Sequence, residues 1–254
     1  MILDLFKLDG KVALVTGAGQ GLGRGMALAL AEAGADIASL DRTGCEGTCE
    51  AVRALGRKYH EAVVDLRAAS VGDLQKVADG FVSELGRIDI LVNNAGTIRR
   101  TPAIDFSEAD WDDVLQVNLK AAFFLAQAVA RVMMSQGGGK IINIASMLSF
   151  QGGITVPSYT AAKSALAGVT RALANEWAGH NINVNAIAPG YMATENTAPL
   201  RADPKRAPAI LERIPAGRWG TPDDLKGVVV FLASSASDYM HGAIVPVDGG
   251  WLTR

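Results

Sequence analysis

The sequence is poor in cysteine, histidine and aromatic residues, and it has neither a long apolar run nor a run of positive charge. Its two cysteines, Cys45 and Cys49, cannot build a disulfide framework, and no histidine or carboxylate cluster surrounds them at ligand spacing. They read as two thiols on one helix in a reducing compartment, and no metal site is expected. The three histidines, His60, His180 and His241, fall at a strand start, a helix end and a loop, none of them placed as a catalytic base. A net charge of −2 without a local Lys/Arg run argues against a nucleic-acid surface. No stretch of about eighteen consecutive apolar residues is present to span a bilayer. The opening "MILDLFKLDGK" carries a charge every few residues where a secretion signal needs an apolar core, so a cytoplasmic protein is expected. No Pro-rich linker, repeat or composition break divides the chain, and one domain over residues 1–254 follows.

What is present is an ordinary globular balance, 49% hydrophobic and 20% charged, in a chain long enough to bury a large core. Short apolar, β-branched runs alternate with helix-forming stretches from end to end. The strand candidates are "KVALVTGA", "DIASLD", "HEAVVDL", "IDILVNNA", "KIINIAS", "INVNAIAP" and "AIVPVDG". Helical patterns occupy 22–33, 46–56, 71–85, 109–135, 158–179 and 222–234. Continuously apolar strands, each followed by a helix, predict a doubly wound parallel sheet of about seven strands, covered on both faces. The exception is residues 190–220, which hold four of the nine prolines and scattered charge. This segment reads as an irregular insertion after the sixth strand. Open α/β sheets bind ligands at the carboxyl ends of their strands, so it is expected to act as a lid.

"VTGAGQGLGRG" follows the first strand and opens the first helix, where a phosphate would meet helix N-terminal N–H groups. Its pattern is G-x-x-x-G-x-G, with Gly17, Gly21 and Gly23, and a further glycine at Gly19. Asp41 ends the second strand, where an acid can accept from adenine-ribose hydroxyls and repel a 2′-phosphate. That favours NAD over NADP, although the neighbouring Arg42 could receive such a phosphate. Asp65 closes the third strand and "NNAG", Asn93 to Gly96, closes the fourth, suiting a backbone pressed against a planar ligand.

"PSYTAAKSALAG" puts Tyr159 and Lys163 one helical turn apart on one face. A phenol handles protons near neutral pH only if its pKa falls, and a cation about 5 Å away lowers it by about two units at an effective dielectric near 20. Ser146, at the end of the fifth strand, adds a hydroxyl that could hold a substrate oxygen. Together with "TGAGQGLG", "NNAG", Asn118 in "VNL", "PG" at 189–190 and the terminal "VDGG", these residues stand in one characteristic order. In that order, over nearly the whole chain, the sequence resembles the short-chain dehydrogenase/reductases, which are Rossmann-type folds.

The resemblance implies that Tyr159 is the acid/base, that Ser146 orients the substrate, and that Lys163 lowers the tyrosine pKa and binds the nicotinamide ribose. It implies that Asn118 holds a water linking the lysine to solvent. For the cofactor it implies the loop Gly17–Gly23 with Gln20 and Leu22, then Asp65 and Leu66 around the adenine. Asn93, Ala95, Gly96, Pro189, Gly190, Met192 and Thr194 complete that set, the last facing the carboxamide. Within the family, stretches such as "NNAGTIRR" and "IINIASMLSFQGGITVPSYTAAK" resemble NAD-dependent dehydrogenases of deoxygluconates, which act on sugar acids from pectin-derived uronates. A gluconate 5-dehydrogenase and a 3-oxoacyl-thioester reductase are the alternatives in the same chemistry, and a non-catalytic NAD sensor is the alternative in another. The carboxylate of a sugar acid wants an arginine fork, and Arg99, Arg100, Arg213 and Arg218 are candidates. Gln151 and Tyr191 are candidates for hydroxyl contacts.

The helix near 109–135 is apolar nearly all round, and the next is rich in small residues: Ala161, Ala162, Ala165, Ala167 and Gly168. Both are therefore expected to pack against a second copy of the chain, and the family resemblance implies a homotetramer.

Overall fold

A computed structural model describes residues 1–254. The seven apolar runs form strands β1 (Val12–Thr16), β2 (Asp36–Asp41), β3 (Tyr59–Val63), β4 (Ile90–Asn93), β5 (Gly139–Ile144), β6 (Ile182–Pro189) and β7 (Ile244–Val247). They pair in the order β3-β2-β1-β4-β5-β6-β7, and every pairing is parallel. Strand order reverses between β1 and β4, the place where open α/β sheets form their ligand crevice.

Both faces of the sheet are covered, and the alternation along β1 shows how. Ala13 and Val15 join the core beneath α1 (Gly21–Glu32) and α9 (Lys226–Ala233). Val12 and Leu14 join the core beneath α3 (Val71–Leu85) and α5 (Ala121–Gln136). All four are buried, so β1 has no polar side to show in its sequence. The remaining helices are α2 (Glu46–Ala54), α4 (Glu108–Leu115), α6 (Pro157–Trp177), α7 (Ala198–Ala202) and α8 (Arg206–Arg213).

Three expectations are corrected. β3 stops at Val63, so Asp65 lies two residues past the strand instead of closing it. There Asp65 accepts from the Arg67 guanidinium at 2.7 Å, an exposed local pair. β5 likewise stops at Ile144, two residues before Ser146, which caps a short 3-10 turn. The single helix expected over 109–135 is α4 and α5 joined by a π-helical turn, Gln116–Lys120. Such turns recur at functional sites, and this one carries Asn118. The stretch Glu108–Gln136 is long and apolar enough to cross a membrane, but 56% of its most apolar window is buried in the fold.

Residues 190–220 are more ordered than their composition indicates. They form a 3-10 turn at Glu195–Thr197 and then α7 and α8. Pro199 and Pro208 sit in the first turns of α7 and α8, where a missing N–H costs no helical hydrogen bond. Proline there marks helix starts, not a loop.

Candidate active site

The carboxyl ends of β1, β2, β4, β5 and β6 converge on one pocket of about 740 Å³. At one end of it the chain turns through the glycine loop into α1. Gln20 precedes α1 without a side-chain cap, and no acid stands in the first turn, so those backbone N–H groups remain free for an anion. Gly21 takes φ +55°, a left-handed conformation that suits glycine. A Cβ on Gly23 would overlap the Gly17 carbonyl and crowd Asn94 Nδ2. The loop is therefore closed tightly on itself, and Asn94 fastens it by donating from Nδ2 to the Thr16 carbonyl at 2.9 Å and the Gly17 carbonyl at 3.2 Å. Sequence reasoning included Asn94 only within "NNAG" and missed this role.

Asp41, the last residue of β2, accepts the Gly19 N–H at 3.0 Å and the Arg42 N–H at 2.7 Å. Its carboxylate is thus fixed at the pocket wall beside Arg42, which makes no ion pair. Free helix N-terminal donors, glycines without room for Cβ, and a fixed acid one strand away together fit a dinucleotide.

Around the pocket the structure gathers Gly17, Gln20, Gly21, Leu22, Gly23, Asp41, Arg42, Asp65, Leu66, Ala95 and Gly96. Pro189, Gly190, Met192 and Thr194 line it from the β6 side. Gly19 and Asn93 lie outside the lining. Gly19 binds Asp41 through its N–H, and Asn93 donates inward to Asn143 Oδ1 at 2.9 Å and the Ala122 carbonyl at 3.2 Å.

At the centre stand Ser146, Tyr159 and Lys163. Pro157 opens α6, and the four-residue spacing then puts Tyr159 and Lys163 on one face. Lys163 is 3% exposed. Its Nζ lies 5.5 Å from the Tyr159 ring centroid and donates to the Ile144 carbonyl at 2.6 Å. Burial pulls its pKa down to about 8. Burial also pushes the Tyr159 phenol above its usual value, against the Ser146 hydroxyl and the Arg100 charge, which draw it down. In this arrangement burial outweighs the two groups that draw the phenol down, and the Lys163 ammonium is hydrogen-bonded to a backbone carbonyl. Ser146 Oγ accepts the Leu148 N–H at 3.1 Å, leaving its own proton to donate.

Asn118 lies behind the lining. Its Nδ2 donates to the carbonyls of Thr97 at 2.8 Å and Val114 at 2.9 Å, while its buried Oδ1 has no partner within the chain. A Cβ on Gly96 would come within 2.8 Å of that oxygen, so the glycine of "NNAG" keeps room for it.

The arginine candidates separate clearly. Arg99 gives its guanidinium to Asp110 and Asp113, each at 3.0 Å, so its fork is already occupied. Arg218 is paired with Asp224 at 2.6 Å and does not line the pocket. Arg100 and Arg213 do line it. Arg213 stacks on the Trp251 ring at 4.0 Å and reaches Gln151 Oε1 at 3.4 Å. Tyr191 meets Trp251 edge-on, with ring centroids 4.8 Å apart. Sequence reasoning missed Arg206, Ile210 and Trp251, all in the lining. The first two share a helical spacing with Arg213, a signal hidden because the segment reads as irregular.

The matches with known proteins follow this geometry. Residues 17–252 match the family model described as enoyl-(acyl carrier protein) reductase. The chain is 62% identical, over all of both chains, to 2-dehydro-3-deoxy-D-gluconate 5-dehydrogenase of Escherichia coli K12. A protein of Agrobacterium tumefaciens assigned as a 2-deoxy-D-gluconate 3-dehydrogenase and solved with NADP is 53% identical. It superposes with a TM-score of 0.92, the match covering 99% of this chain and 100% of that one. A gluconate 5-dehydrogenase of Burkholderia cenocepacia solved with NADP and tartrate is 41% identical, with a TM-score of 0.95 over all of both chains. The protein belongs to the short-chain dehydrogenase/reductase family of nicotinamide-dependent oxidoreductases.

Proposed function

We propose that the protein oxidises the C5 hydroxyl of 2-dehydro-3-deoxy-D-gluconate to a ketone, with NAD as hydride acceptor. The observation that carries this reading is one pocket holding Ser146, Tyr159 and Lys163 beside arginines that its acids do not neutralise. The 62% full-length identity to an enzyme of that name supports the particular acid.

The nicotinamide, when bound, takes or returns the hydride. The glycine loop and the free N–H groups of α1 would hold its pyrophosphate, and Asp41 its adenine ribose. The remaining task of the chain is to place one oxygen and move one proton. Ser146 donates to the reacting oxygen, and Tyr159 exchanges the proton with it. As a raised, neutral phenol, Tyr159 is set to act as an acid toward a carbonyl. To act as a base it needs the Lys163 ammonium turned from the Ile144 carbonyl toward the phenolate. A cation about 5 Å away at an effective dielectric of about 20 favours the phenolate by about 3 kcal/mol. The bare Asn118 Oδ1 offers an acceptor for a water linking Lys163 to solvent.

Asp41 supports NAD, whereas Arg42 is the cation that a 2′-phosphate would use. Residues 190–220, which include α7 and α8, act as the lid. The same reading takes the protein as a cytoplasmic homotetramer in the breakdown of pectin-derived uronates. Ala161, Ala165 and Gly168 lie along the less buried side of α6, a close-packing stripe for another copy. A spectrophotometric screen of hexonates, deoxyhexonates and their keto forms, with NAD and with NADP, tests the reading. The expected result is fastest turnover on 2-dehydro-3-deoxy-D-gluconate with NAD; turnover confined to acyl thioesters contradicts it.

A further inference from the structure

Besides Arg42 at the nucleotide end and Arg213 on Trp251, two more guanidiniums line the pocket without an acid partner. Arg100, in the loop after β4, donates from Nη2 to the Asn196 carbonyl at 3.0 Å and to no carboxylate. Arg206 opens α8, lines the same pocket and makes no ion pair. Desolvation lowers the pKa of Arg100, and the charge of Arg206 lowers it further. The two cations thus share the lining of one pocket, in a wall that is partly shielded from water. Other arginines nearby show what a settled pair looks like: Arg99 holds Asp110 and Asp113, and Arg218 holds Asp224. Asp203, the acid nearest Arg206 in sequence, accepts backbone N–H groups of Lys205 and Arg206 at 2.8 and 2.9 Å. Glu195, exposed at the pocket mouth, pairs with neither arginine.

The two arginines are carried by different elements. Arg100, in the loop after β4, draws the Tyr159 phenol down by its charge. Arg206 enters the lining from the first turn of α8, in the segment after β6. In the proposed substrate the carboxylate lies four carbons from the hydroxyl that Tyr159 serves, so a cation on a separate element can meet it.

We propose that Arg206, with Arg100 facing it, holds the carboxylate of the sugar-acid substrate and selects acids over neutral sugars. This rests on the sugar-acid reading above. A carboxylate between the two guanidiniums removes their repulsion and accepts from both. Arg213, held by stacking on Trp251, flanks the site.

The test compares Arg206→Gln and Arg206→Lys with the unaltered enzyme, on the acid and on its neutral 1-amide. Arg206→Gln is expected to raise KM for the acid about tenfold or more, with kcat changed much less. Arg206→Lys recovers part of the loss, and KM for NAD and for the amide stays level. An acid KM within about twofold of the unaltered enzyme overturns the assignment while leaving the sugar-acid reading intact. Equal weakening toward acid and amide overturns it too, because it marks a merely structural role. An unaltered enzyme that turns over no sugar acid contradicts both.

Discussion

At the scale of single residues, the site turns on a phenol and a lysine whose pKa values are moved by burial. Tyr159→Phe removes one oxygen from an otherwise unchanged ring, so the pocket keeps its shape. A loss of kcat by about a thousandfold or more with NAD affinity preserved is expected, measured by steady-state rates and nucleotide titration. An NAD sensor would show no such loss. Lys163 has a different signature. Its folded pKa, about 8, lies below its ordinary 10.5. The native lysine therefore gives up its proton first as pH rises. Below about pH 8 the fold bears the cost of a buried ammonium, and between the two values that cost is relieved. The cost is about 3 kcal/mol at roughly 1.4 kcal/mol per pKa unit. It is the net cost with the ammonium already hydrogen-bonded to the Ile144 carbonyl, a charged bond worth about 1.5–3 kcal/mol that Met cannot make. Lys163→Met should then raise the melting temperature of the nucleotide-free protein at neutral pH while abolishing turnover. The gain should shrink as pH rises toward about 10.5. A pH-independent difference would show that burial of the charge is not its source.

At the scale of elements, two glycines separate function from folding. Gly23 lies in α1 where a Cβ would overlap the Gly17 carbonyl. Gly23→Ala should open the loop and weaken NAD binding at least about tenfold in a fluorescence titration. Gly80 lies in α3, exposed, with nothing near the position of a Cβ. Gly80→Ala should stabilise by about 0.5–1 kcal/mol in chemical denaturation, with activity unchanged. Much of this level is legible in the sequence, because apolar strands and glycine turns announce themselves through local pattern. The seven strands and the Tyr159–Lys163 face are of that kind. The π turn at Asn118 is not, since the carbonyls its buried carboxamide meets, those of Thr97 and Val114, do not show in local pattern. Nor is α8, whose Pro208 and charges resemble loop composition until the helix shows Arg206, Ile210 and Arg213 on the pocket side. The arginines make the same point. Composition presents Arg99 and Arg218 as equals of Arg100, and only geometry shows them held by Asp110, Asp113 and Asp224.

At the scale of the whole molecule, one parallel sheet brings strand ends far apart in sequence to a single pocket. The outward stripe of α6 makes assembly the next question. Light scattering at micromolar concentration should give the mass of four chains, and a stable monomer would contradict the tetramer. Chemistry at the pocket is tested most directly by following nicotinamide reduction by the purified protein with 2-dehydro-3-deoxy-D-gluconate and NAD, and identifying the oxidised carbon by NMR. The expected result is NADH formed in step with a new ketone at C5. No nicotinamide reduction, or oxidation at another carbon, would contradict it.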